Sequence, residues 1–245
     1  MVGFVGYIGE SSRIGSSTVA FESITGHDYV GGFCGTISNS ASVGSGTVEG
    51  ISITGNDYVG GFSGQLMSGF SALNDSVDFE SIAGNDYVGG LCGDASNYGR
   101  IWDNNAIGES VTGNQYVAGF SGRTGSGIAL QRCYAESDII KADADYAGGL
   151  TGSCDHGASY ECCYAVCNEI SATNYAGGLA GYIEYSSPFV NCYAICGEIT
   201  ATSYVGGLVG CINGYSVVEC ILVEKQCLEW EAEYARFHLQ CIMRL

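Results

Sequence analysis

Proline is nearly missing from this chain: Pro188 is its one copy in 245 residues. Collagen and polyproline rods need proline at regular intervals, and the 39 glycines do not fall at every third place, so both are excluded. Positive charge is equally scarce, with 8 Lys and Arg against 26 Asp and Glu and a net charge of −18. A nucleic-acid partner requires a basic face that displaces counterions, and an anionic bilayer repels such a chain. Nucleic acid and membrane are therefore not expected as partners. No stretch reaches about 18 consecutive apolar residues, so no helical membrane span is expected. The first ten residues lack the basic start and long apolar centre of a secretory signal. Histidine occurs only as His27, His156 and His238, and no His-Glu-x-x-His is formed. A Gly-x-Ser-x-Gly elbow and a phosphate-binding lysine loop are missing as well. What is abundant is apolar: 46% of residues, spread along the whole chain, which argues against disorder.

That apolar content is periodic. Tyrosine recurs at Tyr29, Tyr58, Tyr87, Tyr116, Tyr146, Tyr175 and Tyr204, at a spacing of 29 with a single 30. Each is followed by a small apolar residue, glycines, and Phe or Leu, as in Tyr29-Val30-Gly31-Gly32-Phe33. Gly3-Phe4-Val5-Gly6 is a partial eighth copy, matching Gly32-Phe33-Cys34-Gly35. Two further apolar columns keep the period, one through Ile24, Ile53, Ile82 and Val111, the other through Val19, Val48, Val77 and Ala106. Columns of this kind mean stacked equivalents, each burying its apolar face against its neighbours. The segments hold Val, Ile, Thr, Tyr and Phe, broken every few residues by Gly, Asn, Asp or Ser, and before residue 221 no long run of helix formers occurs. They read as short strands and turns. In the last full unit the strands are expected near 191–194, 198–200 and 204–209.

The glycine pair after each tyrosine has a geometric role. Val30 and Phe33 are three apart, so a regular strand would place them on opposite faces. A corner at the glycines turns both inward. The second glycine is invariant across Gly32, Gly61, Gly90, Gly119, Gly149, Gly178 and Gly207, while the first becomes Ala118 once. The second position is thus expected to need positive φ or close backbone approach. Before each tyrosine stand turn residues such as Gly55-Asn56-Asp57, and their aspartates read as turn chemistry rather than as a calcium row. Phe21-Glu22-Ser23-Ile24 returns as Phe79-Glu80-Ser81-Ile82, which marks a pairwise duplication of period 58.

Thirteen cysteines raise the question of disulfides or metal. Cys133, Cys163 and Cys192 share one column, which Cys220 joins if the last loop is one residue shorter. Cys167 and Cys196 share another, and Cys34 and Cys92 alternate with Ser, Thr, Ala and Val. Positions that exchange in this way select small volume, and buried free thiols meet that need. Cys154, His156, Cys162, Cys163 and Cys167 cluster in sequence but fit no standard zinc spacing. No metal or cofactor is expected. Asp143 and Asp145, in the one unit with an extra residue, are the candidate acids for a solenoid glycan hydrolase, a reading kept as an alternative.

Asn191-Cys192-Tyr193-Ala194 followed by Tyr204-Val205-Gly206-Gly207-Leu208-Val209-Gly210 resembles the repeat of the GLUG motif family. The first four units lack the Cys-Tyr-Ala element. The resemblance implies a surface or secreted repeat region of adhesin-like proteins, with no catalytic residues of its own.

These observations predict an all-β solenoid of about seven and a half 29-residue coils over 1–221. An amphipathic helix over 222–245 is expected to cap it, from Leu228, Ala232, Ala235, Leu239 and Ile242 on one stripe. The expected function is a non-enzymatic structural or binding module that meets a protein or glycan surface ligand, with an intracellular protein-interaction scaffold as the alternative. The seven tyrosines are the candidate ligand-stacking rank. The chain opens inside a unit, so end-to-end pairing through the first rung is a further expectation. An extracellular or cell-surface location is expected if the chain is an excerpt, and a cytoplasmic one if Met1 is the true start.

Overall fold

The computed structural model describes residues 3–224, which form a β-solenoid of about seven turns in which every strand pairing is parallel. Each coil contributes to three sheets. Sheet A has eight strands, from Val5–Ile8 and Cys34–Ile37 to Val209–Asn213. Sheet C has seven short strands, from Val30–Gly31 to Tyr204–Gly206. Sheet B holds the long strands, such as Gly46–Thr54 and Ser76–Ala83, together with short ones such as Ser42–Gly44 and Phe70–Leu73. The two sets meet at Phe189–Thr200, which is a single continuous strand. At about 4.8 Å per rung, the eight strands of sheet A span roughly 34 Å along the axis.

The 29-residue columns are the strand register: Val48 pairs with Val77 and Val77 with Ala106, as Ile53 does with Ile82 and Ile82 with Val111. The extra residue of the 30-residue interval lies between Ala142 and Tyr146, because Gly113 still pairs with Ala142 while Val117 pairs with Ala147. It is absorbed in a turn, where it disturbs no strand. Within one coil, Val30, Phe33, Ile37, Val43, Val48 and Ile53 all point inward and are fully or almost fully buried. Val30 and Phe33 both reach the core because the chain turns between them, as the corner reading requires.

Of three expectations, two are corrected and one is met in one of its two forms. The strands expected separately at 191–194 and 198–200 are one strand, and the one expected over 204–209 breaks into Tyr204–Gly206 and Val209–Asn213. Second, of the two needs expected of the second glycine, positive φ or close backbone approach, it has the latter and not the former. It is held by close approach: a Cβ on Gly90 would stand 1.9 Å from the Gly119 carbonyl oxygen, and one on Gly61 would stand 2.1 Å from that of Gly90. Positive φ falls instead on the tyrosine itself, at Tyr29, Tyr58, Tyr87, Tyr116 and Tyr146 (φ 54–59°). Third, residues 222–224 are not helical, since Val218–Glu224 is a strand paired with Phe189–Thr200. The rest of the expected cap, 225–245, lies outside the described residues.

Candidate functional site

The seven tyrosines form one unbroken stack, with ring centroids 4.7–5.0 Å apart and planes within 17° of parallel. Tyr29 and Tyr204 at its ends are exposed and the inner five are half-buried. Each inner ring has both faces covered by its neighbours, so a ligand alongside meets phenol edges and hydroxyls. The faces serve the stack.

The turn row beside the stack is linked in the same direction. Asp57 Oδ1 accepts from Asn85 Nδ2 at 3.1 Å and from the Asp86 amide at 3.2 Å, and Asp28 does the same for Asn56 and Asp57 one rung earlier. Asp145 Oδ1 accepts from Asn174 Nδ2, and Asp143 lies 2.8 Å from Lys141 Nζ. Asp28, Asp57 and Asp145 thus hold adjacent rungs together, whereas the Asp143–Lys141 pair lies within one coil.

The cysteines fall where the columns place them. Cys192 pairs with Cys220 across a one-residue register shift, and Cys167 pairs with Cys196. Most of the cysteines are buried, and burial pushes the thiols of Cys34, Cys92 and Cys154 up to about 12. The column through Cys133 begins as Gly46, Asp75 and Asn104, and at Asn104 and Cys133 the side chain bonds back to the preceding coil. Asn104 Nδ2 donates to Ala72 O at 2.9 Å, and Cys133 Sγ donates to the equivalent Ile101 O at 3.1 Å. Cysteine there is a short donor as well as a small volume. The sequence cluster of Cys154, His156, Cys162, Cys163 and Cys167 does not converge in space, and among the described residues no three metal-capable side chains meet.

A cleft opens beside the tyrosine stack where sheet A changes side-chain size. Its outward column runs Tyr7, Thr36, Gln65, Asp94, Arg123, Ser153, Tyr182 and Cys211. Asp94 is fully buried, taking Arg123 Nε at 2.8 Å and Gln65 Nε2 at 3.1 Å. The Arg123 guanidinium also lies 5.0 Å from the centre of the Tyr87 ring. Ser153 is the short residue between Arg123 and Tyr182, and above it lies a cavity of about 280 Å³. Tyr116, Tyr146 and Tyr175 form one wall, while Asp155 and Glu184 form the other. Tyr182 stands edge-on to Tyr146 and Tyr175, at 5.6 and 5.5 Å. Burial, with Glu184 nearby, raises the Asp155 carboxyl above its ordinary range against the pull of Arg123.

None of these cleft residues stands out in the linear sequence except the tyrosines. The signal is the column itself: at intervals of 29 and 30, an aspartate, an arginine, a serine and a tyrosine follow one another in space. No protein-family model, no curated protein and no solved structure matches this chain.

Proposed function

We propose that this chain is a non-enzymatic spacing and binding module of a surface or secreted, adhesin-like protein. The observation that carries the reading is the use made of its repeated polar and aromatic side chains. Tyrosine faces, Asn–Asp pairs and corner thiols are spent between rungs, which stiffens the rod. Of the acids considered for glycan hydrolysis, Asp145 is spent on Asn174 of the next rung in the same way, and Asp143 pairs with Lys141 in its own coil. The surface or secreted location rests on the likeness of 191–210 to the GLUG repeat.

The alternative, an intracellular scaffold, is favoured by the free thiols. Compartment is not decided by their survival, because a buried thiol with a raised pKa is inert in either. The test is an antibody blot of fractionated source cells. A species much larger than 25.5 kDa at the surface or in the medium is the expected result. A cytosolic species of that mass would replace this reading with the scaffold.

A further inference from the structure

The cleft at Ser153 stands apart from the module reading: fractionation decides that one, and binding decides this one. Three rungs build it, the first with Arg123, the second with Ser153 and Asp155, the third with Tyr182 and Glu184. Its charges do not balance internally. Arg123 is already committed to Asp94, which is fully buried and takes its Nε. The Asp155 carboxylate accepts no hydrogen bond from a described residue. Glu184 faces it from the next rung, with Nδ1 of the exposed His156 3.6 Å away. Like charges on neighbouring rungs repel unless something between them is positive. Ser153 adds a second, independent sign of a ligand. It is 5% exposed, it lines the cavity, and its Oγ has no partner among the described residues. The fully buried unbonded atoms among the described residues are Asp75 Oδ2, Ser137 Oγ and Tyr160 OH, so Ser153 Oγ is instead open to the cavity, where it can accept from a donor.

We infer that this cleft binds a primary ammonium group, held by the Asp155 and Glu184 carboxylates and by Ser153 Oγ. Three acceptors match the three N–H donors of an alkylammonium, and charge-assisted bonds of this kind are the strong ones. The tyrosine edges beside it accommodate the alkyl stem. A bare metal ion fits poorly, since no three metal-capable side chains converge among the described residues. The ammonium can arrive on a free amine or on a lysine side chain of a partner protein. The chain's net charge of −18 draws either towards it.

Isothermal titration calorimetry of the full chain tests this with n-butylamine, Nα-acetyl-lysine methylamide, its Nζ-acetylated form and glucose. Both amines are expected to bind, and the acetylated form and glucose are not. Tighter binding of the lysine compound by tenfold or more identifies a protein lysine as the source, and parity identifies a free amine. Asp155→Asn and Glu184→Gln are each expected to weaken binding at least tenfold, and Ser153→Tyr to abolish it by filling the cavity. Thermal melting of each variant confirms that it is folded. A folded Asp155→Asn that binds n-butylamine as the parent does would overturn the assignment, as would glucose binding as tightly as the amines, or the absence of a saturable amine heat at every concentration below the onset of non-specific heats.

Discussion

Asp75 shows how a single residue in a stacked column is tuned by its neighbours. It occupies the position that Asn104 takes one rung later, and it is fully buried. Its Oδ1 accepts from the Gly46 amide at 2.8 Å, while Oδ2 has no partner. Asn104 uses its Nδ2 to reach Ala72 O, and the acceptor equivalent for residue 75 is Val43 O. A carboxylate cannot donate to that oxygen, whereas a protonated carboxyl can. Burial accordingly pushes the Asp75 carboxyl up to about 7 from an ordinary 3.8. The folded chain then binds a proton that the unfolded chain has lost, so stability falls as pH rises from about 4 to about 7. Asp155, raised in the same direction, contributes with the same sign. Asp75→Asn supplies the donor at every pH and keeps the acceptor for Gly46. Urea melts at pH 5 and pH 8 are expected to show the parent losing about 2–4 kcal/mol and the variant far less. A parent with no loss over that range would show that Asp75 stays ionised in the fold.

Strands and corners carry information that only appears between rungs. Corner residues at Ser45, Asn74, Asp103, Arg132, Cys162 and Asn191 all have φ of 53–60°. Ser, Asn and Asp are ordinary turn residues, but an arginine or a cysteine is not a turn signal, so the column is only partly visible to composition; at Arg132 and Cys162 the stack over-determines the backbone. The period-58 duplication has a packing cause of the same kind. Phe21 pairs with Gly50 and Phe79 with Gly108, and each phenylalanine ring lies where a Cβ on its glycine partner would stand, 2.3 Å and 2.2 Å away. Aromatic and glycine alternate because one ring covers two rungs. Gly108 lacks positive φ, so alanine is barred by the ring and tolerated by the backbone. A double-mutant cycle separates these. Gly108→Ala alone is expected to cost about 1–3 kcal/mol by overpacking, and Phe79→Ala alone about 3–5 kcal/mol by leaving a cavity. Together they are expected to cost at least about 1 kcal/mol less than the sum. Additive losses would show that Gly108 serves the backbone. The sequence made the columns legible because apolar residues must repeat to stack, and it placed Cys220 correctly across a skipped residue. The cleft was not legible, because Asp94, Arg123 and Ser153 meet only once the 29-residue pitch is laid out as a sheet.

At the scale of the molecule, each coil touches only the coils before and after it, so stability is a sum over rungs and their interfaces. A coil is then removable, provided that the new neighbours match. Deleting Val59–Tyr87 joins Tyr58 to Val88 and preserves the register of every strand, but it sets Gly50 against Gly108 with no ring between them. Deleting the longer segment Val30–Tyr87 joins Tyr29 to Val88 and sets Phe21 against Gly108, which restores the pairing of aromatic with glycine. It also brings Asp28 beside Asn114, the partner that Asp86 has in the parent. If length alone governed stability, the two-coil deletion would be the weaker protein. Matched interfaces reverse that order: the two-coil variant is expected to melt at or above the one-coil variant in guanidinium. Small-angle scattering should show it shorter than the parent by two rungs, roughly 10 Å. The same comparison tests the end of the rod away from the cleft, since both deletions spare 116–184, where the ammonium site lies. A two-coil variant that melts well below the one-coil variant would mean that coil number outweighs the fit between neighbouring rungs, and that the pairwise duplication has no packing cause.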